Sequence, residues 1–178
     1  MPAPQTKPKF LKRQYWDSAM FVTLAAKQVT DEGCKRVEII KELLGLHEQQ
    51  KIEIVVSTMV IAEFRPYSDG ASPDPALAQI VDDLFNSTDI LLYGLTPGIA
   101  AMAREIGEKN RNITPTDAVH IATAVFADAD VLFTFDGGGK RRKQKHMIAN
   151  SEKFGTPPLK ISAPYVDLGG PLFDRPIE

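Results

Sequence analysis

Ile113-Thr114-Pro115-Thr116-Asp117-Ala118-Val119-His120-Ile121-Ala122-Thr123-Ala124, continued by Val131-Leu132-Phe133-Thr134-Phe135-Asp136, is the stretch whose reading decides the fold. Thr114 is a good helix N-cap, Pro115 suits the first helical position, and Asp117 completes a Thr-x-x-Asp capping pattern. Small and apolar residues follow, and the helix they predict runs to about 127 before Asp128-Ala129-Asp130 turns the chain. Residues 131–135 form a short apolar run of strand formers, as expected of a buried strand in a parallel sheet. Asp136 stands where that strand should end, ahead of Gly137-Gly138-Gly139. Ligands of open α/β sheets sit at the carboxyl ends of the strands, so chemistry is expected at Asp136.

The same alternation extends outward in both directions. Residues 12–16 predict a strand ending at Asp17, and Ser18 can cap a helix over 19–26. Thr30 or Asp31 starts a helix whose apolar positions Val37, Ile40, Leu43 and Leu44 follow the helical period to about 46. Residues 52–56 predict a second strand. Ser57 and Thr58 end it and can cap a helix to Glu63, about two turns in. A loop rich in Pro, Ser, Asp and Gly leads to Asp74-Pro75, which opens a helix to about 85. A third strand over 89–93 precedes Thr96-Pro97 and a helix to 108. After the glycines come a basic, helix-compatible segment and a last strand over 159–161. Strands alternating with helices indicate a three-layer α/β/α sandwich around a parallel sheet. One domain is expected over 10–162, with a flexible arm at 1–9 and a surface arm at 163–178.

The composition narrows the class. A chain of 178 residues, 43% hydrophobic and 25% charged, matches an ordinary globular domain with a real core. No apolar run approaches the roughly 20 residues of a membrane helix, and residues 1–9 lack the apolar segment of a secretion signal. Cys34 alone excludes an internal disulfide and suits a reducing compartment, so a cytoplasmic protein is expected. A net charge of −2 does not announce a nucleic-acid binder. Positive charge is nevertheless concentrated in Lys140-Arg141-Arg142-Lys143-Gln144-Lys145, with Lys7, Lys9, Lys12 and Arg13 as a second group. Such runs form solvated faces, and beside an acidic pocket they also suit a phosphodiester substrate.

Four acids occupy element boundaries: Asp17, Glu63, Asp117 and Asp136. Were their strands neighbours, all four side chains would converge on one end of the sheet. Carboxylates crowded together must protonate or take up a cation, and hard oxygen ligands favour Mg²⁺ or Mn²⁺. Each also has a local explanation: helix capping for Asp117, helix opening for Asp17, a turn for Asp136. Glu63 resists one, since Met59-Val60-Ile61-Ala62 leads into it. Ser18, Thr116 and Thr134, each one or two residues from an acid, can orient a carboxylate or a metal-bound water, or simply cap and turn. His120 lies one turn past Asp117 on the same helix face, where it can border the pocket or serve as a hydrogen-bonded core residue. The histidines and Cys34 have no zinc-ligand spacing.

Tyr15-Trp16-Asp17-Ser18, Ser57-Thr58-Met59-Val60-Ile61-Ala62-Glu63-Phe64, Thr116-Asp117-Ala118-Val119-His120 and Leu132-Phe133-Thr134-Phe135-Asp136 resemble, in that order, the motifs of PIN-domain ribonucleases, nearest to the toxins of bacterial VapBC-type toxin–antitoxin pairs. The resemblance spans about 12–162. It implies a Mg²⁺- or Mn²⁺-dependent endoribonuclease with Asp17, Glu63, Asp117 and Asp136 as the metal-site acids. It also implies a cognate antitoxin partner and a homodimer. The glycine run, the basic tract after it and the arm beyond 162 depart from compact toxins.

The leading expectation is therefore metal-dependent RNA hydrolysis. Asp17, Glu63 and Asp117 hold the metal, and Asp136 completes the site or orients the attacking water. Arg65, Lys140, Arg141, Arg142, Lys143 and Lys145 meet the phosphate backbone. The alternative is a non-catalytic RNA- or protein-binding module on the same fold. A phosphohydrolase with Asp17 as nucleophile is disfavoured, because the second aspartate such enzymes carry two residues on is here Ala19.

Overall fold

The structure is a computed structural model that describes residues 12–26, 30–65, 74–135 and 147–166. Strand β1 (Lys12–Trp16) feeds helix α1 (Ser18–Ala25), and α2 (Asp31–Glu48) returns the chain to β2 (Ile52–Ser57). The short α3 (Thr58–Glu63) follows at once, then α4 (Pro75–Asn86) and β3 (Leu91–Tyr93). Helices α5 (Pro97–Lys109) and α6 (Pro115–Phe126) precede β4 (Val131–Phe133), and a 3-10 turn (Ile148–Asn150) precedes β5 (Lys160–Ser162).

All strand pairs are parallel, in the order β3-β2-β1-β4-β5. This gives the parallel α/β/α sandwich expected from the alternation. The chain builds outward from β1 to β3, then crosses to the other side of β1 and builds β4 and β5. The reversal opens a crevice at the carboxyl ends of β1 and β4, where open sheets bind ligands. Asp17 closes β1 at that point, its backbone N–H donating to Phe133 O at 3.2 Å.

The pleat sends alternate residues to opposite layers. Trp16, Ile54, Val56 and Phe133 meet Met20, Phe21 and Leu24 of α1, Ile40 and Leu43 of α2, Val60 of α3 and Val81 of α4. Tyr15, Val55, Leu132 and Ile161 meet Ile99 and Ala103 of α5 and Ala118, Ile121 and Ala122 of α6. Tyr15 and Trp16, both fully buried, therefore face different layers. The side chain of Asp17, two residues beyond Tyr15, belongs on the α6 side.

Helix starts are set locally. Thr30, Asp74, Thr96 and Thr114 each accept backbone N–H groups of the first turn, and proline occupies the first position of α4, α5 and α6. Three expected boundaries shift. Asp17, not Ser18, is the N-cap of α1; β3 begins at Leu91 rather than 89; and β4 ends at Phe133 rather than 135. Glu63 is the last residue of a six-residue helix, so it lies less than two turns in. Past β5 the chain still packs: the Tyr165 ring stands edge-on to Phe133, 5.3 Å between centroids, and Val166 lies against the same cluster.

The amino end of the sheet is held by an ion pair. Arg13, 2% exposed, donates through Nε and Nη2 to Glu53 Oε2, both at 2.9 Å, and through Nη1 to Ala127 O at the end of α6. Its backbone N–H donates to Asp130 Oδ2 at 2.7 Å. One side chain thus ties β1, β2 and the α6–β4 turn. Among the described residues, no helix is long and apolar enough to cross a membrane.

Candidate active site

Asp17 is 3% exposed, an uncommon position for a carboxylate. As N-cap of α1, its Oδ1 accepts the Ala19 and Met20 N–H groups at 3.0 and 3.3 Å. Thr134, just beyond β4, adds a side-chain hydrogen bond. Burial nonetheless pushes the carboxyl up to about 6; the neighbouring His120, the Thr134 hydroxyl and the two amides only partly oppose it. Desolvation of the charged form outweighs these favourable neighbours.

Glu63 reaches the same neighbourhood from β2. Its Oε2 lies 2.8 Å from His120 Nε2, and Ser18 contributes a further hydrogen bond. The His120 hydrogen bond chiefly, with the His120 charge and then the Ser18 bond assisting, holds the Glu63 carboxyl below its usual range against partial burial. The other ring nitrogen, His120 Nδ1, is 2.7 Å from the Tyr15 hydroxyl. Burial, reinforced by the Asp17 charge, raises the Tyr15 hydroxyl well above the ordinary phenol range, so it stays protonated.

Asp117 lies one turn before His120 on α6. Its carboxylate accepts the Thr114 N–H at 3.3 Å while its own N–H donates to Thr114 Oγ1 at 3.1 Å, a complete capping box. Thr116 is half-buried in the same first turn. Arg65 is exposed two residues past Glu63. Asp136 and the tract Lys140, Arg141, Arg142, Lys143 and Lys145 lie outside the described residues, as does the basic group at Lys7 and Lys9. The structure thus joins Glu63 to His120, puts Asp17 within electrostatic reach of that histidine, and leaves Asp117 on its cap. Among the described residues, no three His, Cys, Asp or Glu side chains are grouped closely enough to hold a metal ion.

The family model of the PIN domain matches residues 29–144. The chain belongs to the PIN-domain family. In fold, this PIN domain is similar to Mycobacterium tuberculosis VapC20, described as a sarcin-ricin loop cleaving toxin. The two share 17% identity and a TM-score of 0.51, over 70% of this chain and 91% of that one. VapBC2 from Rickettsia felis, solved bound to a DNA fragment from their promoter, aligns at 16% identity and TM-score 0.46, over 68% and 86% of the two chains. FitAcB from Neisseria gonorrhoeae aligns at 14% and 0.47, over 70% and 88%. No curated protein matches the sequence.

The family match holds Glu63, Asp117 and Asp136 but begins after Asp17. In the PIN domain β1 is nevertheless the central strand, so Asp17 ends the strand flanked by β2, which leads to Glu63, and by β4. The donor type suits a hard divalent cation: Asp17 and Glu63 offer carboxylate oxygens, and burial of Asp17 outweighs the neighbours that favour its charge. One residue and one contact were not singled out from sequence. Tyr15 could have been, because it sits two positions before Asp17 on the same strand face. The link from His120 to Glu63 had no local signal beyond the i+3 spacing from Asp117.

Proposed function

We propose that this PIN domain is a Mg²⁺- or Mn²⁺-dependent endoribonuclease, acting as the toxin of a toxin–antitoxin pair. The observation that carries the reading is the approach of Asp17 and Glu63 to His120, one turn past Asp117, at the strand-order reversal of a PIN fold. Asp17, Glu63 and Asp117 would hold the cation, and Asp136 would complete the site or orient the attacking water. A divalent ion there supplies charge neutralisation and polarisation of water and phosphate oxygens. The chain's own residues prepare the acids. Thr134 and the α1 amides fix Asp17, Ser18 and His120 fix Glu63, and Thr116 stands beside Asp117. Arg65, Lys140, Arg141, Arg142, Lys143 and Lys145 would meet the RNA backbone, which makes binding fall steeply with salt. A cognate antitoxin and a second copy of the chain are the protein partners this reading implies, in the cytoplasm. Incubation with a mixed RNA pool, with Mg²⁺ and with EDTA, tests it: strand scission only with the metal supports it, and no scission in either condition overturns it.

One observation favours the alternative, a non-catalytic RNA- or protein-binding module. Asp117 serves as a helix cap through Oδ2, and the described acids do not by themselves form a three-ligand set. Binding that survives chelation, without scission, is its signature.

A further inference from the structure

His120 is 2% exposed and hydrogen-bonded at both ring nitrogens, to residues 105 positions before it and 57 before it in the chain. Ser57 lies beside the Tyr15 hydroxyl. The ionised Glu63 carboxylate only accepts hydrogen bonds. The imidazole proton is then on Nε2, directed at Glu63 Oε2. Ser57 is in turn the N-cap of α3, and Glu63 is its last residue. A helix of six residues has little rigidity of its own, so it needs a fixed point at each end. Ser57 supplies one through β2 and Tyr15; His120 supplies the other.

We propose that His120 is the positioning residue for Glu63: its Nε2–H aims that carboxylate at the site, and Tyr15 holds the ring through Nδ1. The proposal rests on the reading of Glu63 as a site acid. It makes His120 an outer partner of a cation ligand, a position whose loss typically weakens metal affinity by about 10–100-fold. Histidine is suited to it because the ring is rigid and its two nitrogens face opposite ways, so one buried side chain connects β1 to the end of α3 across α6.

The test uses the full chain. Mn²⁺ affinity is measured by electron paramagnetic resonance without RNA, cleavage by initial rates, and the His120 tautomer by ¹⁵N imidazole shifts in metal-free protein. H120L is expected to lose about tenfold or more in Mn²⁺ affinity, with the cleavage loss in kcat rather than KM. H120Q, whose amide nitrogen reproduces the Nε2 donor, recovers most of it. Y15F loses less than H120L, and the wild-type ring shows the Nε2–H form. A wild-type Nδ1–H tautomer overturns the proposal. So do equal Mn²⁺ affinities in all variants, or folded H120Q as impaired as H120L. Should H120L fail to fold, H120Q and Y15F decide by the same readouts. A wild-type chain that neither binds Mn²⁺ nor cuts RNA overturns the nuclease reading and this one with it. A wild type that does both beside an unaffected H120L overturns only this one.

Discussion

Thr134, just past the end of β4, hydrogen-bonds the carboxylate of Asp17 at the end of β1. The two residues span the crevice where strand order reverses, and they fix a buried acid that burial disfavours in its charged form. The Asp17 carboxyl titrates near 3.8 when free and near 6 in the fold. Its contribution to stability is therefore complete below the free value and is lost as pH rises through 6. At pH 7.5 without metal, the ionised group costs up to about 3 kcal/mol. D17N keeps the cap oxygen and removes the charge, so it should melt several degrees above wild type at pH 7.5 in EDTA, at about 2–4 °C per kcal/mol. The difference should vanish near pH 4. Thermal melts at both pH values check this, and D17N melting below wild type at pH 7.5 contradicts it.

Adding Mn²⁺ should close most of that gap. A cation bound to Asp17 stabilises the folded wild type by about 2.7 kcal/mol at a hundredfold excess over its dissociation constant. D17N, lacking a charged ligand, should gain little. Calorimetry with and without Mn²⁺ gives the comparison, and equal gains in both proteins would place the ion elsewhere.

Asp117 is a helix cap in the fold and a site acid in the proposed function, and two substitutions separate these roles. T114A removes the cap hydroxyl and should cost about 1 kcal/mol in urea unfolding while cleavage continues. D117N retains an acceptor for the Thr114 N–H, so stability should change by less than that, yet cleavage should cease. Unchanged cleavage by D117N would leave capping as its whole role.

The legible parts of this chain were those decided by neighbours in sequence. Thr114-Pro115, Thr96-Pro97 and Asp74-Pro75 announce helix starts because cap and first turn are adjacent residues, and all three appear where expected. The α1 boundary was ambiguous, since Asp17 and Ser18 are both good caps. It was resolved by a distant contact, Asp17 N–H to Phe133 O, which extends β1 by one residue. Strand order was not legible, because parallel neighbours are chosen by helix packing rather than by turns. The bonds of His120 to Tyr15 and Glu63 depend on that order and were hidden with it.

Arg13 illustrates the same limit at the other end of the sheet. In sequence it belonged to a basic group; in the fold it is buried against Glu53, itself 23% exposed. R13M leaves Glu53 and the Ala127 carbonyl without their partner and should cost about 3 kcal/mol in urea unfolding. R13M/E53M should cost less than the sum of the single changes, because the stranded carboxylate is gone. Strict additivity would show the pair to be uncoupled.

The central claim is that acids distant in sequence serve one divalent cation at the end of the sheet. The most direct measurement is cleavage of a mixed RNA pool by wild type, D17N and D117N at matched folded concentration, titrated with Mn²⁺. The account predicts Mn²⁺-dependent scission by the wild type and none by either variant, with all three equally folded by circular dichroism. Undiminished Mn²⁺-dependent scission by both variants would contradict it.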